Sequence, residues 1–296
     1  MKKFAIICAA ASTAMVLTAC GDTDEDSEES SASIGEQVEY EIIGIDPGSV
    51  MMDTTEEALD HYGLDEWTLT SSSEGAMVAA LDSAYQDEEP IIITAWQPHW
   101  KFNAYDLKFL EDPEEVVTVE NDVHTLVRNG LEEDLPDVHQ FLDQFQFELD
   151  EQQEVMEMMD VDEMAAEDAA RTWLEDHPER VEEWTDGVGE GDGEEVRFVL
   201  EAWSDAQAAT NMAAVMLEDL GYTPHLNEVA VNMMYGGLAT DSADALLAAW
   251  YPNQTPLFEE FDGDFEDLGP NSVGAVTGVA VPTYMDIDSF EELQDE

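Results

Sequence analysis

Basic residues are almost missing from this chain. It has 296 residues, with only 8 Lys and Arg against 72 Asp and Glu, and a formal net charge of −64. Nucleic-acid binding needs clustered Lys and Arg at the phosphates, so that class is excluded. Docking on anionic lipid through a basic patch is excluded likewise. Cysteine is nearly absent too: Cys8 and Cys20 are the two in the sequence. The apolar run Phe4 to Val16 is short for a membrane span, which needs about 20 residues. Catalytic signatures are lacking as well. There is no Gly-x-Ser-x-Gly, no His-Glu-x-x-His and no P-loop. The six His, at 61, 99, 124, 139, 177 and 225, show no metal-ligand spacing. The acids of Gly187–Glu194 have no EF-hand spacing either. No metal and no cofactor is expected, and an enzyme is disfavoured.

What is present is a folded body. Hydrophobic residues make up 44% and aromatics 9%, enough to bury one large or two smaller domains. The acid excess therefore coats a core rather than forming a disordered tail. An acidic, solvated surface suits a saline medium and a halophilic source.

The N-terminus carries an address. Lys2 and Lys3 precede the apolar stretch, as in a signal peptide. The stretch ends in Leu17-Thr18-Ala19-Cys20-Gly21, a bacterial lipobox pattern. Residues 1–19 are read as a lipoprotein signal peptide and Cys20 as the lipidated first residue. Removing Lys2 and Lys3 shifts the formal charge to −66, and no free thiol remains for a disulfide or a nucleophile. Residues 20–37 are read as an acidic, flexible tether. The expected location is the extracytoplasmic face of the cell membrane, held there by lipid.

From Val38 onward the pattern is α/β. Tyr40–Asp46, Trp67–Thr70 and Pro90–Thr94 read as strands. Helices are expected from Asp53 or Thr54 to Tyr62 and from Glu74 to Tyr85. Residues 110–187 read as mostly helical. After a Gly-rich linker the first pattern recurs. Val196–Leu200, residues 226–231 and Ala245–Ala248 read as strands, with helices Ala206–Leu220 and Met233–Thr240 between them. Both halves run strand, helix, strand, helix, strand, and both close on Ala-Trp-x-Pro, at 95–98 and 249–252. This repeat implies two similar lobes, set at 38–187 (with chain crossovers between lobes) and 188–296, and a cleft between them. Such sheets bind ligands beyond the carboxyl ends of their strands.

Trp96, Trp203 and Trp250 each follow a predicted strand end, so they are candidates to face one cleft. A quaternary ammonium donates no hydrogen bond, and indole faces attract it by cation–π contact. Each Trp taken alone is more simply core packing; three at equivalent strand ends favour the cleft. Gly48–Met52, ahead of a helix, offers backbone N–H groups for a carboxylate, though an ordinary capped turn explains it equally well.

At this point the residues resemble a known family, the glycine betaine-binding lipoproteins of OpuA-type ABC transporters in the wider ProX-like group. The matching stretches include GIDPGSVM (44–51), SSSEGAM (71–77), PIIITAWQPHWKFNAYDLKFLEDP (90–113), AWSDAQAATN (202–211) and AAWYPNQ (248–254). The resemblance covers nearly the whole chain after Cys20. It implies a two-lobed, type II periplasmic-binding-protein fold with the ligand cleft between lobes. It implies that Trp96, Trp203 and Trp250 form a prism around trimethylammonium, and that the amides of Val50 and Met51 hold the ligand carboxylate. It implies glycine betaine or a similar small zwitterion as ligand, and an ABC permease with its ATPase as partners. One position departs from the pattern. Where relatives carry a His five residues after the last Trp, this chain has Thr255, a weaker, neutral donor. Asn253 or Gln254 is the alternative there.

Overall fold

The computed structural model describes residues 32–294. The expected signal segment and Cys20 lie outside that range. The last residues of the expected tether are folded, not loose. Ile34–Gln37 is a short helix closed by a Ser33–Glu36 capping box, and Ile34 packs against the apolar cluster around Ile42 and Trp67.

Among the described residues nine strands join one sheet. They are β1 (Glu41–Ile43), β2 (Thr68–Thr70), β3 (Ile93–Gln97), β4 (Leu107–Phe109), β5 (Val119–Arg128), β6 (Glu195–Leu200), β7 (Thr223–Glu228), β8 (Ala245–Tyr251) and β9 (Phe265–Pro282). Their order is β2-β1-β3-β9-β5-β8-β6-β7, with β4 added on β9. The repeat seen in the sequence is therefore a repeat in space. β1 pairs in parallel with β2 and β3, and β6 pairs in parallel with β7 and β8. Each triplet is then closed by an antiparallel neighbour. Trp96 of β3 stands opposite Thr277 of β9, and Trp250 of β8 stands opposite Val123 of β5.

β5 and β9 are the joint between the triplets. They run antiparallel from Val119↔Thr277 to Arg128↔Phe265, with register shifts near Asn121, Val123 and His124. Gly269 and Gly274 on β9 adopt φ of +93° and +80°, a region that glycine enters without steric cost. The strand bends there instead of continuing flat. Neither strand was expected. β5 interrupts the region read as mostly helical: from 119 to 124 buried or half-buried Val119, Asn121 and Val123 alternate with Glu120, Asp122 and His124, the strand period, and from Thr125 to Arg128 every residue is buried. The helices resume from Leu131 to Trp184.

The halves also divide differently from the expected break at 187/188. The 131–184 helices pack on β6 and on the Ser204–Asp219 helix, burying Phe141, Phe145, Trp173, Trp184, Phe198 and Met212 together. The end of β9 and the C-terminal turn, with Val281, Ile287 and Phe290, return to the first half beside Ile42 and Leu59. The chain thus crosses twice, through β5 and β9.

A buried ion network anchors the second half to the joint. Asp244, just before β8, is 1% exposed. It accepts from Arg128 Nε of β5 at 2.7 Å and from Arg197 Nε and Nη2 of β6 at 2.9 and 2.8 Å. Burial works against its charge, but the two guanidinium groups hold its pKa below the usual carboxylate range. Two of the chain's 8 basic side chains are committed here. Removing one partner of such a network strands the others. Asp244→Ala is therefore expected to lower unfolding free energy by about 3–5 kcal/mol, read as a shifted midpoint in urea. A change under about 0.5 kcal/mol, the size expected of an ordinary surface substitution, would contradict the assignment.

Candidate functional site

The Val50–His61 helix begins earlier than its sequence suggests. Ser49, not Asp53 or Thr54, is the N-cap, its hydroxyl accepting from Met52 N–H. The hydroxyls of Thr54 and Thr55 instead donate back to the Met51 carbonyl within the helix. Val50 and Met51 are thus its first two residues, whose N–H groups have no acceptor inside a helix. They lie at the edge of a cavity of about 340 Å³, counting its open mouth, which Trp96, Trp203, Trp250, Asp205, Asn253 and Gln254 also line.

The three indoles do converge. Trp96 and Trp250 are 2% and 5% exposed. The ring centroids of Trp96 and Trp203 are 6.1 Å apart at 44°. Each half contributes: Trp96 ends β3, Trp250 lies on β8, and Trp203 is the N-cap of the Ser204–Asp219 helix. Thr255 does not line the cavity. Its hydroxyl donates to the Pro252 carbonyl at 2.6 Å, because Thr255 opens the next short helix and turns away. Asn253 and Gln254 take its place. Gln254 Oε1 accepts from Tyr235 at 2.7 Å, which leaves its amide N–H₂ for a ligand.

Charged side chains that no sequence motif marks stand behind the indoles. Trp96 Nε1–H donates to Asp205 Oδ1 at 3.2 Å, and the Trp250 side chain also approaches that carboxyl and draws its pKa down. Trp203 Nε1–H donates to Asp46 Oδ2 at 3.2 Å. An indole of each half therefore bonds a carboxylate of the other half. Lys101 lies behind Trp96, with Nζ 4.0 Å from the ring centroid. Six basic residues fall within the described range, and Lys101 is the one that forms no ion pair there. Burial lowers its pKa to about 7, against the pull of Glu74 and Asp205. One sign of Lys101 was available in the sequence: a rare cation inside an aromatic stretch, Trp96 to Phe102.

The chain matches, over residues 22–176 and 194–296, the family described as the substrate binding domain of ABC-type glycine betaine transport system. It belongs to that family. It is 40% identical to the glycine betaine/carnitine transport binding protein GbuC of Listeria monocytogenes serotype 1/2a (strain 10403S), over 298 residues and 99% of each chain. Two solved structures are similar over part of their length. One is lactococcal OpuAC in its closed-liganded conformation with glycine betaine, at 38% identity, TM-score 0.48, and 50% of this chain and 59% of that one. The other is an ABC-transporter choline binding protein in complex with choline, at 22% identity, TM-score 0.47, and 62% and 61% coverage. This family member is a substrate-binding protein of a glycine betaine ABC transport system. Its two strand triplets and double crossing are the two-lobed, type II periplasmic-binding-protein fold that the resemblance implied.

The cavity contains a titrating acid. Burial raises the Asp205 carboxyl to about 7, and the Glu74 charge adds to it. An exposed Asp titrates near about 3.9. Between these values the folded chain keeps a proton that the unfolded chain releases. The carboxyl's contribution to stability is complete below about pH 4 and is lost as pH rises towards 7. Asp205→Asn removes that loss. The variant should gain on wild type as pH rises from about 4 to about 7, measured by urea unfolding. A constant difference across the range would count against a buried, protonated Asp205.

Proposed function

We propose that the chain captures glycine betaine, or a close quaternary-ammonium zwitterion, at the outer face of the cell membrane. It passes the ligand to a membrane permease driven by a cytoplasmic ATPase, in the service of osmoprotection. It acts as a binding protein and not as an enzyme. The lipobox at 17–20 supports a lipid anchor on Cys20, which lies outside the described residues. No described helix is long and apolar enough to cross a membrane.

One observation carries this reading: three indoles from two halves line a single cavity that also meets a helix N-terminus. A trimethylammonium group cannot use a hydrogen-bond acceptor well. It gains from desolvated ring faces, by about 0.5–2 kcal/mol per contact. Trp96, Trp203 and Trp250 supply those faces, and the Asp205 carboxyl holds Trp96 by its N–H edge. At the other end the Val50 and Met51 N–H groups suit a carboxylate, helped by the positive end of the helix.

A second reading concerns the ligand's length. Asn253 and Gln254 line the cavity, and Thr255 does not. Two amides accommodate a hydroxyl better than a bare methylene. This favours testing carnitine, which appears in the name of the Listeria relative, beside glycine betaine and proline betaine.

Trp96→Ala and Trp250→Ala should each raise the Kd for glycine betaine more than about tenfold, the loss expected from one desolvated cation–π contact and its burial. Calorimetric titration measures this, with circular dichroism as a check on folding. Choline, which lacks the carboxylate, should compete weakly. Unchanged affinity in both folded variants would sink the indole box, and choline competing on equal terms would sink the carboxylate site.

A further inference from the structure

The Ser204–Asp219 helix has no cap of its own. Its N-cap position is Trp203, whose side chain makes no capping bond. An N-cap residue is normally Ser, Thr, Asp or Asn, whose oxygen accepts one of the orphan N–H groups. Trp203 instead lines the cavity. The missing acceptor comes from the other half of the molecule. Glu74 Oε2 accepts from Ser204 N–H at 3.1 Å, and Oε1 accepts from Ser204 Oγ–H at 2.7 Å. Both residues are buried.

Glu74 is held ready for this. It is the first residue of its own helix, Glu74–Gln86, capped by Ser73. Its carboxylate therefore meets the positive ends of two helices, one from each half. His99 fixes its orientation. Lys101 N–H donates to His99 Nδ1 at 3.1 Å, which leaves the proton on Nε2 to donate to Glu74 Oε1 at 2.9 Å. Burial pushes the Glu74 carboxyl upward, but the bonds from His99 and Ser204 and the nearby Lys101 hold it below the usual range. Asp160 and Asp205 are the other acids beside this contact. Burial raises both, to about 6 and about 7, so Glu74 is the carboxyl there that ionises most readily.

We infer that Glu74 is a cross-cleft latch, capping the Ser204–Asp219 helix from the opposite half so that closing the cleft and setting Trp203 in the box are one event. The inference rests on the ligand reading above for its affinity readout only. When the halves part, Ser204 loses both bonds and the helix that carries Trp203 stands uncapped. When they close, the cap is restored. The latch therefore adds to the population of the binding-competent state, and apparent affinity scales with that population.

The experiment compares Glu74→Ala, Glu74→Gln and Ser204→Ala with wild type in the full chain. Four quantities are read: glycine betaine Kd and dissociation rate, ligand-free melting temperature, and small-angle X-ray scattering without ligand. Glu74→Ala should raise the Kd about threefold to thirtyfold, the range for losing a helix cap, mostly through faster dissociation. Its ligand-free radius of gyration should grow. Ser204→Ala should shift both in the same direction by less, since its N–H bond survives. Glu74→Gln keeps the shape but loses an acceptor oxygen, and should fall between. Unchanged dissociation rates and scattering in Glu74→Ala and Ser204→Ala would overturn the latch. A drop in melting temperature with no change in scattering or dissociation rate would also overturn it, since that marks a structural role alone. If wild type binds no betaine, scattering alone decides: expansion in Glu74→Ala keeps the latch and removes only the ligand assignment.

Discussion

A carboxyl group taken out of water must find partners, and buried Asp205 finds one across the cleft. Trp96 of the first half bonds Asp205 of the second, and Trp203 of the second bonds Asp46 of the first. This reciprocal pair is the constraint on which the site depends. It orients two indoles by their N–H edges and so leaves their faces for the cavity. An indole has one donor and no acceptor, so each ring answers one carboxylate and has no further polar demand. The faces that line the cavity carry no hydrogen bond of their own, which suits cation–π attraction.

The scarcity of basic residues sharpens the picture. Within the described range Arg128, Arg197, Arg171, Arg180 and Lys108 are all paired with acids. Lys101 is set apart, stacked behind Trp96 between Glu74 and Asp205. A chain with 72 acids has placed one of its few cations at the back wall of the box. It partly balances the carboxyls that hold the indoles. The surface charge and the site charge are thus separate matters. The first keeps the protein hydrated, and the second is a local arrangement of Asp205, Glu74, Lys101 and Asp46.

Much of this was legible in the sequence, and the rest was hidden for physical reasons. The two Ala-Trp-x-Pro repeats placed Trp96 and Trp250 at equivalent ends of β3 and β8, because buried parallel strands read as short apolar runs. The helix start at Val50 was misread because Asp53 and Thr54 look like caps, while Ser49 hides before three apolar residues. β5 and β9 were not foreseen. Their pairing is non-local, β5 opens with the polar run Glu120-Asn121-Asp122, and β9 carries Gly269, Pro270, Asn271 and Gly274, which read as loop. The lobe division was misplaced as a result, because these strands carry the chain between halves. Asp205 and Glu74 were invisible among so many acids. Nothing in one-dimensional spacing singles out an acid that a distant helix end or indole will claim.

In the proposed site, indoles held by opposing carboxyl groups form the cation end and the Val50–Met51 turn the anion end. A crystal structure of the chain grown with glycine betaine tests it most directly. The account predicts the trimethylammonium carbon atoms packed between the faces of Trp96, Trp203 and Trp250, with the ligand carboxylate at the N–H groups of Val50 and Met51. Ligand found with its carboxylate against Asn253 and Gln254 alone, or with its ammonium away from the three rings, would contradict it.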